Sequence, residues 1–213
     1  MTGRIFAVGD IHGCLSKIRR LIEIIPVDDR EDTLLFIGDY IDRGPDSRGV
    51  VDYILSLRKQ FSHVVCLCGN HEDMLLAYIT EGRDREIYLI NGGDATLLSY
   101  GLSPSPWDTP TLPDDHMAFF TDLLTFYETP DYIFVHAGLR PGISLSEQSR
   151  HDLLWVRDEF IRSSYDFGKT VVFGHTPLRE PMLGENKIGI DTGAVYGGPL
   201  TCVELPQRTV YQV

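Results

Sequence analysis

The sequence predicts an α/β protein with two sheets, on three observations. Short apolar runs stop abruptly at glycine or a polar residue, helical apolar spacing fills the gaps between the first three runs, and strand-like segments concentrate toward the C-terminus. Continuous runs of four or five apolar residues mark strands buried on both faces. The first, Ile5-Phe6-Ala7-Val8, ends at Gly9-Asp10-Ile11-His12-Gly13. From Cys14 to Ile25, Leu15, Ile18, Leu21, Ile22 and Ile25 share one helical face, and Pro26 stops the helix. Leu34-Leu35-Phe36-Ile37 then meets Gly38-Asp39-Tyr40-Ile41-Asp42-Arg43-Gly44. A second helix, capped by Asp46 or Ser47, carries Val50, Val51, Ile54, Leu55 and Leu57. Val64-Val65-Cys66-Leu67-Cys68 leads to Gly69-Asn70-His71-Glu72 and a third helix with Met74, Leu75, Tyr78 and Ile79. Residues 82–113 hold Gly92-Gly93, Trp107, Pro104, Pro106, Pro110 and Pro113, which reads as a helix fragment followed by an irregular loop, either a lid or a surface excursion. Tyr132-Ile133-Phe134-Val135 ends at His136-Ala137-Gly138, and Thr170-Val171-Val172-Phe173 at Gly174-His175-Thr176. With Ile188 to Ile190, Leu200 to Glu204 and Thr209 to Tyr211 they suggest the second sheet. No linker or internal repeat divides residues 1–213, so a single domain is expected.

The chain has 213 residues, with 19 Lys and Arg against 31 Asp and Glu and a formal net charge of −12. A surface that binds nucleic acid or anionic lipid needs the opposite balance, so neither partner is expected. No apolar run reaches the ~18 residues of a membrane span, and no secretory leader pattern opens the sequence, so a cytoplasmic location is expected. Cys14, Cys66, Cys68 and Cys202 form no C-x-x-C pair and are read as reduced thiols. The sequence leaves the oligomeric state open and is compatible with a monomer.

Each of the five runs delivers Asp, Asn or His at its carboxyl end, where open α/β sheets bind ligands. Any one junction, taken alone, is a strand-to-turn boundary where Gly, Asp and Asn occur for their backbone habits. That explanation leaves out the histidines: His12, His71, His136 and His175 all lie within three residues of such an end, while His63, His116 and His151 lie elsewhere. The collected groups Asp10, His12, Asp39, Asn70, His136 and His175 are oxygen and imidazole donors with no thiolate, a set that suits Mn, Fe or Zn. Six are too many for one ion that keeps an open position. Two ions about 3.5–4 Å apart, sharing a carboxylate, clamp an in-line displacement at phosphorus.

In order and spacing these motifs resemble the signature of calcineurin-like metallophosphoesterases, specifically the compact bacterial and phage members of the phosphoprotein phosphatase branch. Leu153-Leu154-Trp155-Val156-Arg157 and Ile190-Asp191-Thr192-Gly193-Ala194-Val195-Tyr196 resemble that group as well. The resemblance implies a four-layer α/β/β/α sandwich of two mixed sheets with a dinuclear metal site, Mn first and Fe or Zn as alternatives. It implies that Asp10 and His12 hold one ion, that Asp39 bridges, and that Asn70, His136 and His175 hold the other. It further implies that a metal-bridging hydroxide attacks phosphorus directly and that His71, oriented by Asp42, protonates the leaving alkoxide. Arg43 and Arg157 would grip the phosphoryl group, with Asn70 beside it and Tyr196 at its edge.

The expected activity is therefore hydrolysis of phosphoserine and phosphothreonine in proteins or peptides, with phosphotyrosine or small phosphate esters as further substrates. The alternative is a symmetrical diadenosine tetraphosphate hydrolase, which shares the fold and most motifs; Asp42 and Glu72 favour the phosphatase. Superfamily nucleases commonly end in Gly-His-x-His, whereas Gly174-His175 is followed here by Thr176-Pro177. A catalytically silent binding module would show eroded ligands, and none is eroded.

Overall fold

The computed structural model describes residues 3–103 and 110–213. Pro104, Pro106 and Trp107 of the expected loop lie outside the described residues. Among the described residues, ten strands form two five-stranded mixed sheets. In the first, β1 (Ile5–Val8), β2 (Thr33–Phe36) and β3 (Val64–Cys66) are parallel, β9 (Thr201–Leu205) pairs antiparallel with β1, and β10 (Thr209–Gln212) antiparallel with β9, giving the order β10-β9-β1-β2-β3. In the second, β5 (Tyr132–Val135), β6 (Thr170–Phe173) and β8 (Lys187–Gly189) are parallel, edged by antiparallel β4 (Phe126–Glu128) and β7 (Met182–Leu183).

The two-residue period of a strand accounts for the layering. Phe6 and Val8 of β1, and Leu34 and Phe36 of β2, face the helices α1 (Leu15–Ile24) and α2 (Ser47–Gln60) through Ile18, Leu21, Val50 and Ile54. The alternate residues Ala7 and Leu35 face the other way, into a layer shared with Phe134 of β5, Val172 of β6 and Ile188 of β8. On the far side, Ile133, Val135, Val171 and Phe173 pack on Leu153 and Phe160 of the short helices α7 (Arg150–Trp155) and α8 (Asp158–Ile161). The result is two sheets face to face, with helices outside. Strands buried on both faces explain why their sequences read as unbroken apolar runs.

The helices begin where expected. Asp46 caps α2, its side chain accepting from the Gly49 N–H at 2.8 Å. The helix α3 (Asn70–Glu81) opens on the residues of its motif and ends at Gly82 in a left-handed conformation. Residues 82–103 are more regular than a helix fragment and loop. They hold α4 (Arg85–Tyr88), a π-helical turn (Leu89–Gly93) and α5 (Asp94–Ser99), followed after Pro113 by α6 (Asp114–Thr121). Glycines and short helices hide this from periodicity, which needs two or three turns to register. His116 lies in the core between Tyr100 Oη (2.7 Å) and Asp52 (3.0 Å), a structural role. Among the described residues, no helix is long and apolar enough to cross a membrane.

Candidate metal centre and active site

The carboxyl ends of β1, β2 and β3 meet those of β5, β6 and β8 at one edge of the sandwich, and the loops that follow them line a cleft. Asp10, His12, Asp39, Asn70, His71, His136 and His175 are all buried there, as is Asp42 behind His71. His12, Asp39, Arg43, Asn70, His71, Arg157, His175 and Tyr196 line the opening. Asp10 and His136 stand just behind it: Asp10 Oδ2 accepts the His175 N–H at 3.0 Å, and His136 Nε2 lies 3.0 Å from Asn70 Oδ1. Every residue singled out in the sequence thus reaches one place. Tyr196 is exposed at the mouth, its ring 5.7 Å from the Arg43 guanidinium carbon.

Asp39 is the hub. Its Oδ2 lies 3.4 Å from His12 Nε2 and 4.0 Å from His71 Nε2, while Oδ1 lies 3.5 Å from His136 Nε2. Two groups of metal-competent side chains therefore share this carboxylate: His12, Asp39 and His71 on one side, Asp39, His136 and His175 on the other. Asn70 Oδ1 joins the second group, 2.8 Å from His175 Nδ1. The ring orientations are set from behind. His12 Nδ1 donates to the Ile41 carbonyl at 2.7 Å and His136 Nδ1 to that of Ile37 at 2.9 Å, leaving each Nε2 as a lone-pair donor toward the cleft.

The backbone here is unusual. His12, Asp39, Asp42, Arg43 and His175 all have positive φ, between 45° and 72°. Each such non-glycine residue costs on the order of 1–3 kcal/mol, so something must hold them. For residues 39 to 41 it is Glu72, fully buried, whose Oε2 accepts the N–H of Asp39 and of Gly69 at 2.9 Å each and whose Oε1 accepts that of Tyr40 at 2.9 Å. Gly174 allows the close approach of Asp10: a Cβ there would sit 2.1 Å from Asp10 Oδ1.

Electrostatics favour cations. Burial pushes the imidazoles of His12 and His175 down to about 3 and about 2, and lowers that of His136, so all three are neutral at pH 7. Burial raises Asp10, with Asp191 and Asp39 adding to the rise, and burial takes Asp191 up to about 6. Burial opposes the charge of Asp39 too, but the facing His136, His71 and His12 outweigh it and hold this carboxyl well below the usual range. Neutral imidazoles around crowded carboxylates are what divalent ions at these positions would relieve. Arg43 Nη1 donates to His12 Nε2 at 2.7 Å and Arg157 Nε to His175 Nε2 at 3.1 Å. An ion at His12 Nε2 would take over the Arg43 contact and free that guanidinium for substrate.

His71 differs from the other histidines of the two groups by its carboxylate partner. Its Nδ1 is 2.6 Å from Asp42 Oδ2, which turns Nε2 into the cleft. Sequence reasoning quoted Glu72 and Asp191 within motifs but gave them, like Tyr88 and Thr96, no place in the site. Tyr88 and Thr96 contact Asp42 from residues 82–103, Glu72 supports the Asp39 loop, and Asp191 ends β8 in the cleft wall as a sixth polar strand end. A signal existed for Glu72, at the third helical position after Gly69, and for Asp191, after the apolar run Ile188 to Ile190.

A fold of two sheets with carboxylates and imidazoles gathered at their strand ends defines a metal-dependent phosphoesterase. The chain belongs to the calcineurin-like phosphoesterase family, whose model matches residues 3–205. Among its relatives, "Serine/threonine-protein phosphatase 1" of Salmonella typhimurium strain LT2 is 32% identical over 206 residues, covering 94% of this chain and 91% of that one. "Bis(5'-nucleosyl)-tetraphosphatase PrpE [asymmetrical]" of Anoxybacillus flavithermus strain WK1 is 26% identical over 97% of this chain and 92% of its own. A crystal structure provisionally assigned as a diadenosine tetraphosphatase superposes with a TM-score of 0.78 at 25% identity, covering 100% of this chain and 94% of that one. The chain is thus a hydrolase of a dinuclear metal-dependent family, with metal-competent side chains in place.

Proposed function

We propose that the protein removes phosphate from phosphoserine and phosphothreonine in proteins or peptides, with phosphotyrosine and small phosphate esters as further substrates. The observation that carries this reading is the His71–Asp42 pair at the wall of the cleft. A serine or threonine alkoxide is a poor leaving group and needs a proton as the P–O bond breaks. A positioned donor contributes typically ~10²–10⁴ in rate. His71 in its protonated form would deliver the proton from Nε2 to the ester oxygen, giving the free alcohol and inorganic phosphate. Asp42, hydrogen-bonded at Nδ1, would stabilise the charged ring and keep its orientation. Arg43 and Arg157 would bind the non-bridging oxygens, with Asn70 beside them and Tyr196 limiting the mouth.

Two divalent ions, Mn or else Fe or Zn, would neutralise the phosphoryl charge and activate the attacking water when held by Asp10, His12 and Asp39 on one side and by Asp39, Asn70, His136 and His175 on the other. The net charge of −12 does not oppose an anionic substrate, because two ions and two arginines would reverse the sign locally. The proposed setting is a single cytoplasmic domain that acts on a phosphoprotein or phosphopeptide and not on nucleic acid or membrane.

A second reading, hydrolysis of dinucleoside polyphosphates, is favoured by the PrpE relatives, which are of the asymmetrical type rather than the symmetrical one the motifs suggest. The deciding assay compares the Mn-loaded protein on a phosphoserine peptide and on diadenosine tetraphosphate. Higher kcat/KM on the peptide is expected; a strong preference for the dinucleotide would reverse the order of the two readings.

A further inference from the structure

Asp42 has two oxygens and only one serves His71. The other, Oδ1, accepts the Thr96 hydroxyl at 2.6 Å and the Tyr88 hydroxyl at 2.9 Å. Thr96 Oγ1 also accepts the backbone N–H of Asp42 at 2.8 Å, and Ser47 Oγ lies 2.9 Å from it. Asp42, Ser47, Tyr88 and Thr96 are all fully buried. A carboxylate in such a place must have its lone pairs satisfied, and here hydroxyls do so from the side opposite the imidazole.

Tyr88 ends α4, Gly92 lies in the turn that follows and Thr96 lies in α5; the chain kinks at Gly92, and all three reach the Asp42-Arg43 turn. Between the two hydroxyls, the Gly92 carbonyl accepts the Arg43 N–H at 3.0 Å. Gly92 itself has φ of 98°, and a Cβ there would sit 2.7 Å from Arg43 Cγ. The kinked stretch 85–99 therefore grips both residues of the Asp42-Arg43 turn, each of which has positive φ.

We propose that Tyr88 and Thr96 are positioning residues for the proton donor: they fix Asp42 so that Oδ2 faces Nδ1 of His71 and Nε2 faces the leaving group. The proposal rests on the assignment of His71 as proton donor made above. It makes residues 85–99 a specificity element for esters whose leaving group needs a proton, and it predicts that the residues act through His71 alone.

A double-mutant cycle on the metal-loaded enzyme tests it, with a phosphoserine peptide and an aryl phosphate as substrates. Tyr88→Phe and Thr96→Val should each lower kcat on the peptide about tenfold, the worth of one hydrogen bond to a charged group, with KM unchanged and the aryl phosphate changed less than about twofold. Thr96→Ser, which keeps the hydroxyl, should restore the peptide activity. In a His71→Asn background, Tyr88→Phe should cost nothing further. In the proton NMR spectrum, the downfield Nδ1 proton of His71 should shift in Thr96→Val and return in Thr96→Ser. Parallel losses on both substrates, or a Tyr88→Phe loss that adds to His71→Asn, would show these hydroxyls to be structural only. If His71→Asn itself fell equally on both substrates, the fault would lie with the donor assignment instead.

Discussion

At the residue scale, the site depends on how single atoms are divided between partners. Asp39 offers one oxygen to each of two ligand groups, His71 one nitrogen to Asp42 and the other to the cleft. Two expectations follow from that division. His71→Asn should leave metal content unchanged, lose ~10²-fold or more on phosphoserine, and lose much less on an aryl phosphate, whose leaving group needs little protonation. Steady-state kinetics beside elemental analysis of the variant measures both, and equal losses would remove His71 from its role. Asp39→Asn should weaken both ions at once, because the amide cannot serve two cations as a carboxylate does. An unchanged two-ion stoichiometry by elemental analysis would refute the shared ligand.

At the element scale, the supporting structure is a helical stretch packed against a strained turn. Gly92→Ala places a methyl against Arg43 and forces an L residue to φ near 98°. The expected cost is about 2 kcal/mol, roughly 4–8 °C in Tm for a chain of this size, with reduced kcat because Arg43 shifts. Calorimetry with assay of the same sample checks it. This scale also divides what the sequence made legible from what it did not. Ligand positions follow buried strands directly, so a local motif such as Gly38-Asp39 or Gly174-His175 announces both strand end and site. Tyr88 and Thr96 act on a residue 46 and 54 positions away, and no local pattern in Arg85 to Ser99 points to Asp42. The helices α6, α7 and α8, of eight, six and four residues, fall below the length at which periodicity speaks.

At the scale of the whole molecule, the buried carboxylates make folding and metal loading one problem. Without ions, Asp10, Asp39 and Asp191 oppose one another in a closed space, so chelation should lower Tm measurably at pH 7.5. The pH dependence has a definite sign. His12 and His175, at about 3 and 2, stay neutral above pH 5 and bind no competing proton. Asp191, raised to about 6, holds a proton below that pH and loses it above, so the cleft gains negative charge as pH rises through 6. Metal affinity measured by titration calorimetry should therefore strengthen several-fold from pH 5.5 to 7.5, with proton release on binding at the lower pH. An affinity that is flat across this interval would remove the carboxylates as the cause.

The apolar layer between the sheets has a role beyond cohesion. Asp10, His12, Asp39 and Asn70 follow strands of one sheet, while His136 and His175 follow strands of the other. The two halves of the donor set are thus carried on separate platforms, held apart by Ala7, Leu35, Phe134, Val172 and Ile188. The thickness of that layer would therefore set how far apart the two halves stand, and close-packed interiors do not compress to absorb a change. A side chain enlarged at Ala7 would pry the platforms apart and retune chemistry from the middle of the core, while touching neither substrate nor ligand.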